Sequence, residues 1–266
     1  MNSTQIALRK KVFNVDSKYR TNGTNSNFNI RVNMPLRHNF NSVNPLIVEI
    51  PKTYYMFDDT TDNVFNVESP IGTSLGNIVL PSDYNFSFSG LATQLAILLN
   101  TAPFNTGLWS VVKNELKGHY RFTNDITTFK FTFTNKKLLS KYLGFDQQAY
   151  SSVLDAATGF QALESVNYVS LQRYDFFVIR SNIALNNNNN KFVTVYPNSY
   201  DTGSVIKFVS SDDYSYSVGM ANNKSNDFNF VLEDGDTGEL VNLHGNNWRL
   251  VFSCYEDVLP AVPIPQ

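Results

Sequence analysis

The sequence predicts an all-β fold, an antiparallel sandwich or barrel, and three observations support this prediction. About a dozen short segments with strand character follow one another at roughly 8–12-residue spacing, with turn residues between most of them. Only two short segments have helical periodicity, too few for the βαβ units of a parallel sheet. Aromatic residues make up 14% of the chain and charged residues only 17%, and Phe, Tyr, Val and Thr favour strands.

The strands are predicted from alternation of apolar and polar residues. The cleanest is Phe129–Thr134, in which the phenylalanines face one way, and Phe28–Val32 alternates similarly. Pro51 interrupts a strand that leads into the aromatic cluster Tyr54–Phe57. The other predicted strands are Leu46–Ile50, Val64–Val67, Asn77–Leu80, Tyr84–Phe88, Leu108–Val112, His119–Thr123, Asp175–Ser181, Lys191–Val195, Ser204–Ser210, Phe228–Glu233 and Trp248–Tyr255.

Two segments are predicted to be helical. Leu91, Leu95 and Leu98 recur at positions i, i+4 and i+7, which predicts a short amphipathic helix that ends at Asn100. A helix of one or two turns is predicted over Lys137–Tyr142, with Gly144 as its C-cap.

These patterns divide the chain into three parts. Residues 1–26 are polar and are predicted to form an extended arm, residues 27–257 to form one β domain, and residues 258–266 to form a proline-rich tail. Three prolines keep the tail out of helices and ladders. The tail either lies along a neighbouring molecule or is simply where the chain ends.

Charge and cysteine content exclude several classes of protein. The chain has 21 basic and 23 acidic residues, a formal net charge of -2, whereas a nucleic-acid binder needs a basic excess. No run approaches the ~20 apolar residues of a membrane span, and no signal peptide is visible. The single cysteine, Cys254, excludes an intramolecular disulfide and is predicted to be a small buried hydrophobe. We therefore expect synthesis in a reducing compartment.

The one concentration of basic residues lies in the predicted arm. It consists of Arg9, Lys10 and Lys11, with Lys18 and Arg20 close by. Such a cluster either contacts nucleic acid or an acidic partner, or belongs to a solvated arm; the solvated arm is the prediction.

No catalytic motif is visible, so the sequence predicts no enzyme, no cofactor and no metal. His38, His119 and His244 lie far apart in the sequence, and no nucleotide-binding, zinc or nucleophile-elbow pattern occurs. An enzymatic alternative would need loops that bring His119 or His244 beside carboxylates.

Two further features have structural interpretations. The acidic stretch Glu233–Glu239 is either a calcium loop or a turn between strands, and its two glycines favour a turn. Trp109 and Trp248 stand in strand-like runs and are predicted to be core residues.

Several segments, taken in order, resemble a known family. They are Val15-Asp-Ser-Lys-Tyr-Arg20, Phe28-Asn-Ile-Arg-Val32, Val48-Glu-Ile-Pro-Lys-Thr-Tyr-Tyr55, Ile78-Val-Leu-Pro-Ser-Asp-Tyr84 with Leu91 to Leu99, Lys141-Tyr-Leu-Gly-Phe145 and Leu243-His-Gly-Asn-Asn-Trp248. The series resembles the single jelly-roll penton and minor capsid proteins of nucleocytoplasmic large DNA viruses and virophages. Pro81-Ser-Asp83 departs from the family, where a glycine turn is usual before the tyrosine.

This resemblance implies an antiparallel single jelly-roll β-sandwich with one or two short helices. It further implies a virion protein without catalysis, a penton that forms a homopentamer at the five-fold vertices of an icosahedral capsid. Its partners would be further copies of itself, a double jelly-roll major capsid protein and other capsid proteins, assembled in the host cytoplasm. Another minor capsid protein of the same shell is the alternative.

A carbohydrate- or receptor-binding jelly roll is the alternative from a different class. Exposed tyrosines beside Asn and Asp loops are typical of sugar sites, and Tyr214 and Tyr216 in the stretch Asp212–Ser217 are the candidates.

Overall fold

In the computed structural model, the chain divides into two compact units. Residues 55–173 form the inserted unit, and the chain on either side of them, up to Tyr54 and from Tyr174, forms the sandwich unit. The structure describes residues 8–34, 39–57, 62–134, 137–185, 190–197, 203–212, 215–221 and 226–257. The predicted tail, 258–266, lies outside these ranges.

Among the regular elements of secondary structure, strands dominate. In chain order the elements are β1 (Leu8–Asp16), β2 (Asn22–Gly23), β3 (Asn27–Arg31), β4 (Ser42–Pro51), β5 (Val64–Glu68), β6 (Ser74–Val79), α1 (Phe88–Leu99), β7 (Trp109–Asn114), β8 (His119–Asn124), β9 (Lys130–Thr132), α2 (Lys137–Leu143), β10 (Ala149–Ser151), β11 (Val153–Leu154), β12 (Gln161–Glu164), β13 (Phe177–Ser181), β14 (Ala184–Leu185), β15 (Lys191–Val195), β16 (Val205–Val209), β17 (Val218–Met220), β18 (Asp227–Asp234) and β19 (Arg249–Asp257).

The sandwich unit has the strand order of a jelly roll. One sheet, the β4 sheet, runs β1-β19-β4-β16, and the other, the β18 sheet, runs β15-β13-β18-β3, with every pair antiparallel. If these eight strands are numbered along the chain, the orders are 1-8-3-6 and 5-4-7-2, as two Greek keys of a jelly roll require. The short strands β2, β14 and β17 extend the sheets. The predicted jelly roll is confirmed.

The core of the sandwich unit follows from alternation along its strands. In β3, Phe28 and Ile30 are buried between exposed polar neighbours. The ring of Phe28 meets that of Trp248 edge-on at 5.6 Å, and Phe13 of β1 stacks on Phe252 of β19 at 5.3 Å. Aromatic pairs of this kind stabilise a core beyond the area they bury.

The predicted arm needs correction, because residues 8–16 form β1. This strand pairs with β19 over its whole length, from Leu8 opposite Asp257 to Asp16 opposite Arg249. Its periodicity is hard to detect in the sequence, since within residues 10–16 only Phe13 and Val15 are buried, and Val12 between the basic and polar residues is exposed. The jelly roll therefore begins well before the predicted boundary at residue 27.

The predicted single domain, 27–257, also differs from the structure, because residues 55–173 are an insertion between the third and fourth principal strands of the jelly roll. Tyr54 and Tyr174 stand where the sandwich unit is interrupted. Their buried rings meet edge-on at 4.8 Å, and both contact the ring of Phe177. This cluster keeps the two ends of the interrupted jelly roll together. The spacing of the predicted strands could not reveal the insertion, because both units consist of short strands.

The inserted unit has two four-stranded sheets of its own, in the orders β10-β9-β5-β6 and β11-β12-β8-β7. Phe131 lies at the centre of its core. The rings of Phe65, Phe122 and Phe129 each lie 5.1 Å from that of Phe131. The alternation predicted for Phe129–Thr134 is confirmed by the burial of all three phenylalanines, although the strand β9 itself spans only Lys130–Thr132.

One predicted strand is wrong, because residues Tyr84–Phe88 lead into α1. The strand predicted around Pro51 ends at that proline and does not continue into Tyr54–Phe57. In both cases tertiary packing overrides the strand propensity of aromatic residues. Short strands without clear alternation, among them β10, β11, β14 and β17, were not predicted.

Both predicted helices are confirmed. The hydroxyl of Ser87 caps α1 by accepting the N–H of Gly90 at 3.0 Å, and Leu91, Leu95 and Leu99 are its fully buried leucines. Gly144 ends α2 in the left-handed conformation, with φ +73°. No helix in the described ranges is long and apolar enough to cross a membrane.

Replacing Gly144 with alanine should destabilise the protein strongly. The new Cβ would lie 2.4 Å from the carbonyl oxygen of Asn167, in a backbone conformation that favours glycine. We expect a loss of about 2 kcal/mol or more in the free energy of unfolding, measured by chemical denaturation. Gly159→Ala is the control, because φ is also positive, at +72°, but nothing lies within 4 Å of the new Cβ. Equal losses for the two variants would contradict this account.

Candidate functional site

The structure places the described histidines in different units. His119 begins β8 in the inserted unit, whereas His244 lies in a turn of the sandwich unit, where its N–H donates to Asn242 Oδ1 at 2.9 Å. His38 falls outside the described residues. Within the described ranges, no group of three or more His, Cys, Asp and Glu side chains could hold a metal ion.

Cys254 is a core residue of the sandwich unit, as predicted. Its side chain is fully buried in β19, and this burial raises the pKa of the thiol to about 12. The thiol is therefore protonated and inert near neutral pH.

The acidic stretch 233–239 forms a tight turn, as predicted. The carboxylate of Asp234 accepts the N–H of Asp236 at 3.1 Å and the hydroxyl of Thr237 at 2.8 Å. Gly238, with φ +74°, donates its N–H to the Asp234 carbonyl. Glu233 is engaged by the Nε of Arg180 at 2.6 Å. The turn leads to a single bridge at Leu240 rather than to the expected strand.

A second turn with the same D-x-x-T-G sequence lies in the inserted unit. The Asp155 carboxylate accepts the N–H of Ala157 at 3.0 Å and the hydroxyl of Thr158 at 2.7 Å, and Gly159 closes the turn with φ +72°. The Thr158 hydroxyl, the Ala157 N–H and the guanidinium of Arg121 all favour the charged carboxylate, so they lower the pKa of Asp155. The shared five-residue pattern is visible in the sequence and was missed.

Both tryptophans belong to the cores, as predicted. The indole N–H of Trp248 donates to the Asn25 carbonyl at 2.7 Å, and that of Trp109 donates to the Phe104 carbonyl at 2.9 Å. Both side chains are almost completely buried, so neither offers a surface for a ligand.

The described basic side chains of the predicted arm, those of Lys10, Lys11, Lys18 and Arg20, do not converge on one patch. Lys10 and Lys11 are consecutive in β1 and therefore point to opposite faces of the sheet. Lys18 pairs with Asp16 at 3.3 Å, and Arg20 donates to the Ser17 carbonyl at 2.9 Å. This arrangement is typical of a structural edge rather than of a phosphate-binding surface.

The outer face of the β4 sheet carries a row of alternating charges. Glu49 lies at its centre, 3.3 Å from the Nζ of Lys207 and 3.5 Å from a guanidinium nitrogen of Arg249. Asp16 of β1 stands opposite Arg249 in the register and completes the row across all four strands. Apolar side chains flank the row, and Val209 is 59% exposed.

The outer face of the β18 sheet carries a ladder of asparagines, together with the ion pairs Arg31–Asp227 and Arg180–Glu233. The amide nitrogen of Asn229 donates to the side-chain oxygens of Asn27 and Asn29 at 3.0 and 3.2 Å. The backbone N–H of Asn229 donates to Asn182 Oδ1 at 2.9 Å. These amides satisfy one another without a net charge, so covering the asparagine ladder costs less desolvation than covering the ionised side chains beside it.

A groove lined with aromatic side chains opens in the sandwich unit between β15 and β16, with a volume of about 490 Å³. We define this aromatic groove by Tyr196, Phe208, Tyr216 and Val218, which all line it. Tyr196 is 68% and Tyr216 44% exposed, and the ring of Tyr216 meets that of Phe208 edge-on at 5.1 Å. Tyr214, the other residue of the sugar-site hypothesis, lies outside the described residues, so that hypothesis stays a prediction.

The charge row and the aromatic groove were not predicted, because each gathers residues that are distant in sequence. One signal was available in β16, where Val205, Lys207 and Val209 alternate with inward residues and leave two valines on the outer face. The sequence shows the asparagines of β3 by their alternation with apolar residues, but it does not show which side chains they pair with.

These features define the class to which the fold belongs: an eight-stranded single jelly roll with a large insertion between its third and fourth strands. Two solved structures of virophage proteins are similar to this fold. The mavirus penton protein matches with a TM-score of 0.54 over 94% of this chain and 100% of that chain, at 11% sequence identity. A chain of the Sputnik virophage structure matches with a TM-score of 0.51 over 93% and 98%, at 10% identity. No model of a protein family and no curated protein matches the sequence.

The pKa of Asp155 gives a pH-dependent prediction. Because this pKa is lower in the folded chain, the carboxylate stabilises the fold above its unfolded-state pKa of about 3.9, and the contribution is lost as the pH falls through the folded-state value. Thr158→Val removes the largest cause, so the pKa of Asp155 should rise in an NMR titration. Thr237→Val, the matching change in the other turn, should leave it unchanged. A pKa of Asp155 that is insensitive to Thr158→Val would refute this assignment.

Proposed function

We propose that the protein is a structural component of a virus capsid, a penton that forms a homopentamer at the five-fold vertices. The observation that supports this most is the full-length match of fold with the mavirus penton protein, insertion included. The ordered sequence motifs of penton and minor capsid proteins support it independently. Its location would be the virion, after synthesis and assembly in the host cytoplasm.

The two outer faces of the sandwich unit suit a ring of subunits. A cyclic oligomer repeats one heterologous interface, so each subunit must present two different, complementary surfaces. The β4 sheet offers apolar side chains around a row of paired charges, and the β18 sheet offers a ladder of paired amides flanked by two ion pairs. In the proposed ring, the β4 sheet of one subunit packs against the β18 sheet of the next.

The remaining partners follow from the same role. The pentamer would contact a double jelly-roll major capsid protein and other shell proteins, without nucleic acid and without a catalytic step. The alternative is a minor capsid protein elsewhere in the same shell. An assembled mass other than that of a pentamer would favour this alternative.

The mass of the assembled protein tests the proposal. Light scattering of the full chain, alone and co-expressed with the major capsid protein of its shell, should give five times the 30.1 kDa chain mass. Mass spectrometry should detect the chain in purified particles. A strict monomer under both conditions that is absent from particles would refute the proposal.

Val209→Asp tests the assigned face. A charge without a partner at a buried interface should weaken assembly at least tenfold, about 1.4 kcal/mol, while near-ultraviolet circular dichroism stays native. Leu240→Asp is the control, because Leu240 is comparably exposed, at 49%, but follows the acidic turn and is not in either sheet. Unchanged assembly of Val209→Asp would show that subunits meet through another surface.

A further inference from the structure

A cavity of about 640 Å³ opens in the inserted unit beside the start of α1. We define this tyrosine cavity by Tyr84, Asn85, Ser89, Thr93 and Gln94, which all line it. Its volume lies in the range of about 300–1,000 Å³ that is typical of small-molecule sites. We propose that the tyrosine cavity binds a neutral glycan, that is, an uncharged oligosaccharide. The proposal does not depend on the capsid role, because the whole site lies within residues 55–173.

The first argument is an exposed aromatic ring at the cavity. Tyr84 is 53% exposed, and its ring lies 4.6 Å from that of Phe86, measured between centroids. Phe86 in turn packs against the core of the inserted unit. A sugar ring has a face of C–H groups, and such a face packs on an aromatic side chain as other apolar groups do. Tyr84 therefore offers a supported surface for one sugar ring.

The second argument is that the backbone around this ring is already fixed. The carbonyl of Tyr84 accepts the N–H of Met56 at 3.3 Å, and the N–H of Phe86 donates to the sulfur of Met56 at 3.2 Å. Asp83 turns the chain in the left-handed conformation, with φ +55°, and donates its N–H to the Phe57 carbonyl at 3.1 Å. A site that is fixed before the ligand arrives costs less entropy on binding.

The third argument is the polar lining of the cavity. Asn85, Ser89, Thr93 and Gln94 place amides and hydroxyls around it. Within the described chain, the amide of Gln94 and the hydroxyl of Tyr84 have no hydrogen-bond partner, so both are available to a ligand. Amides and hydroxyls donate as well as accept hydrogen bonds, and sugar hydroxyls do the same. The lining therefore matches the rim of a sugar ring.

The charges around the cavity favour a neutral ligand. None of the described residues that line it is charged. Asp83 precedes Tyr84 in the chain, and its carboxylate would repel an anionic sugar. At the start of α1 the N–H of Gly90 already donates to the Ser87 hydroxyl at 3.0 Å, so it is not available to an anion. Sialylated and sulfated glycans are therefore disfavoured.

Binding to a glycan array tests the proposal. The purified full-length chain, applied to an array of neutral, sialylated and sulfated oligosaccharides, should bind neutral members. Calorimetry with the neutral oligosaccharide that binds best then gives the Kd. Thr93→Arg places a long side chain in the cavity and should raise this Kd roughly tenfold or more. Ile97→Arg is the matched control one helical turn further on, because Ile97 is 55% exposed and does not line the cavity.

Variants of the tyrosine test the stacking contact. Tyr84→Ala removes the ring and should raise the Kd roughly tenfold, whereas Tyr84→Phe keeps the ring and should raise it by only about a few-fold. Tyr168→Ala is the control, because Tyr168 belongs to the inserted unit and is 74% exposed but does not line the cavity. Native near-ultraviolet circular dichroism shows that each variant is folded.

Several results would overturn the proposal. These are no binding to any neutral glycan, a preference for sialylated or sulfated glycans, and equal losses of binding for Thr93→Arg and Ile97→Arg. Binding that Tyr216→Ala abolishes and Tyr84→Ala leaves intact would assign the glycan to the aromatic groove instead. The assembled mass separates this inference from the proposed function: a monomer that binds neutral glycans supports the site and counts against the penton, and a pentamer that binds none does the reverse.

Discussion

The pairing of the first principal strand with the last is the constraint on which the structure depends. β1 and β19 lie together over nine register pairs, from Leu8 opposite Asp257 to Asp16 opposite Arg249, and β19 also pairs with β4. The β4 sheet is therefore incomplete until nearly the whole chain is present. Such non-local pairing makes folding slow. Contacts that hold distant segments together are therefore important, and the edge-on contact of Tyr54 with Tyr174 at the insertion is one of them.

The insertion has its own core and its own turns, so it adds a second unit without changing the strand order of the jelly roll. The D-x-x-T-G turn is used once in each unit, at Asp155 and at Asp234, with equivalent hydrogen bonds. In the acidic stretch 233–239, the Asp234 carboxylate thus accepts a backbone N–H group and a threonine hydroxyl, and Glu233 pairs with Arg180.

The sequence predicted those features that are local. Alternation located β3, β9 and β18, and leucine spacing located α1. It failed where the decisive contacts are distant: β1 is recognisable only beside β19, and the division at Tyr54 and Tyr174 depends on a contact across the whole insertion. The outer faces of the sandwich could not be predicted for the same reason, because Glu49 contacts Lys207 and Arg249 only after three strands have paired.

The outer faces of the two sheets give a physical reason for the low charge and the abundant asparagine of the chain. The amides of Asn27, Asn29 and Asn229 pair with one another, so a neighbour can cover this part of the β18 sheet at a lower desolvation cost than a charged surface would carry. Electron microscopy of particles that contain this protein tests the central claim most directly. The account predicts five copies of the jelly roll with its insertion around each five-fold axis. Density for a different fold at the vertices would contradict it.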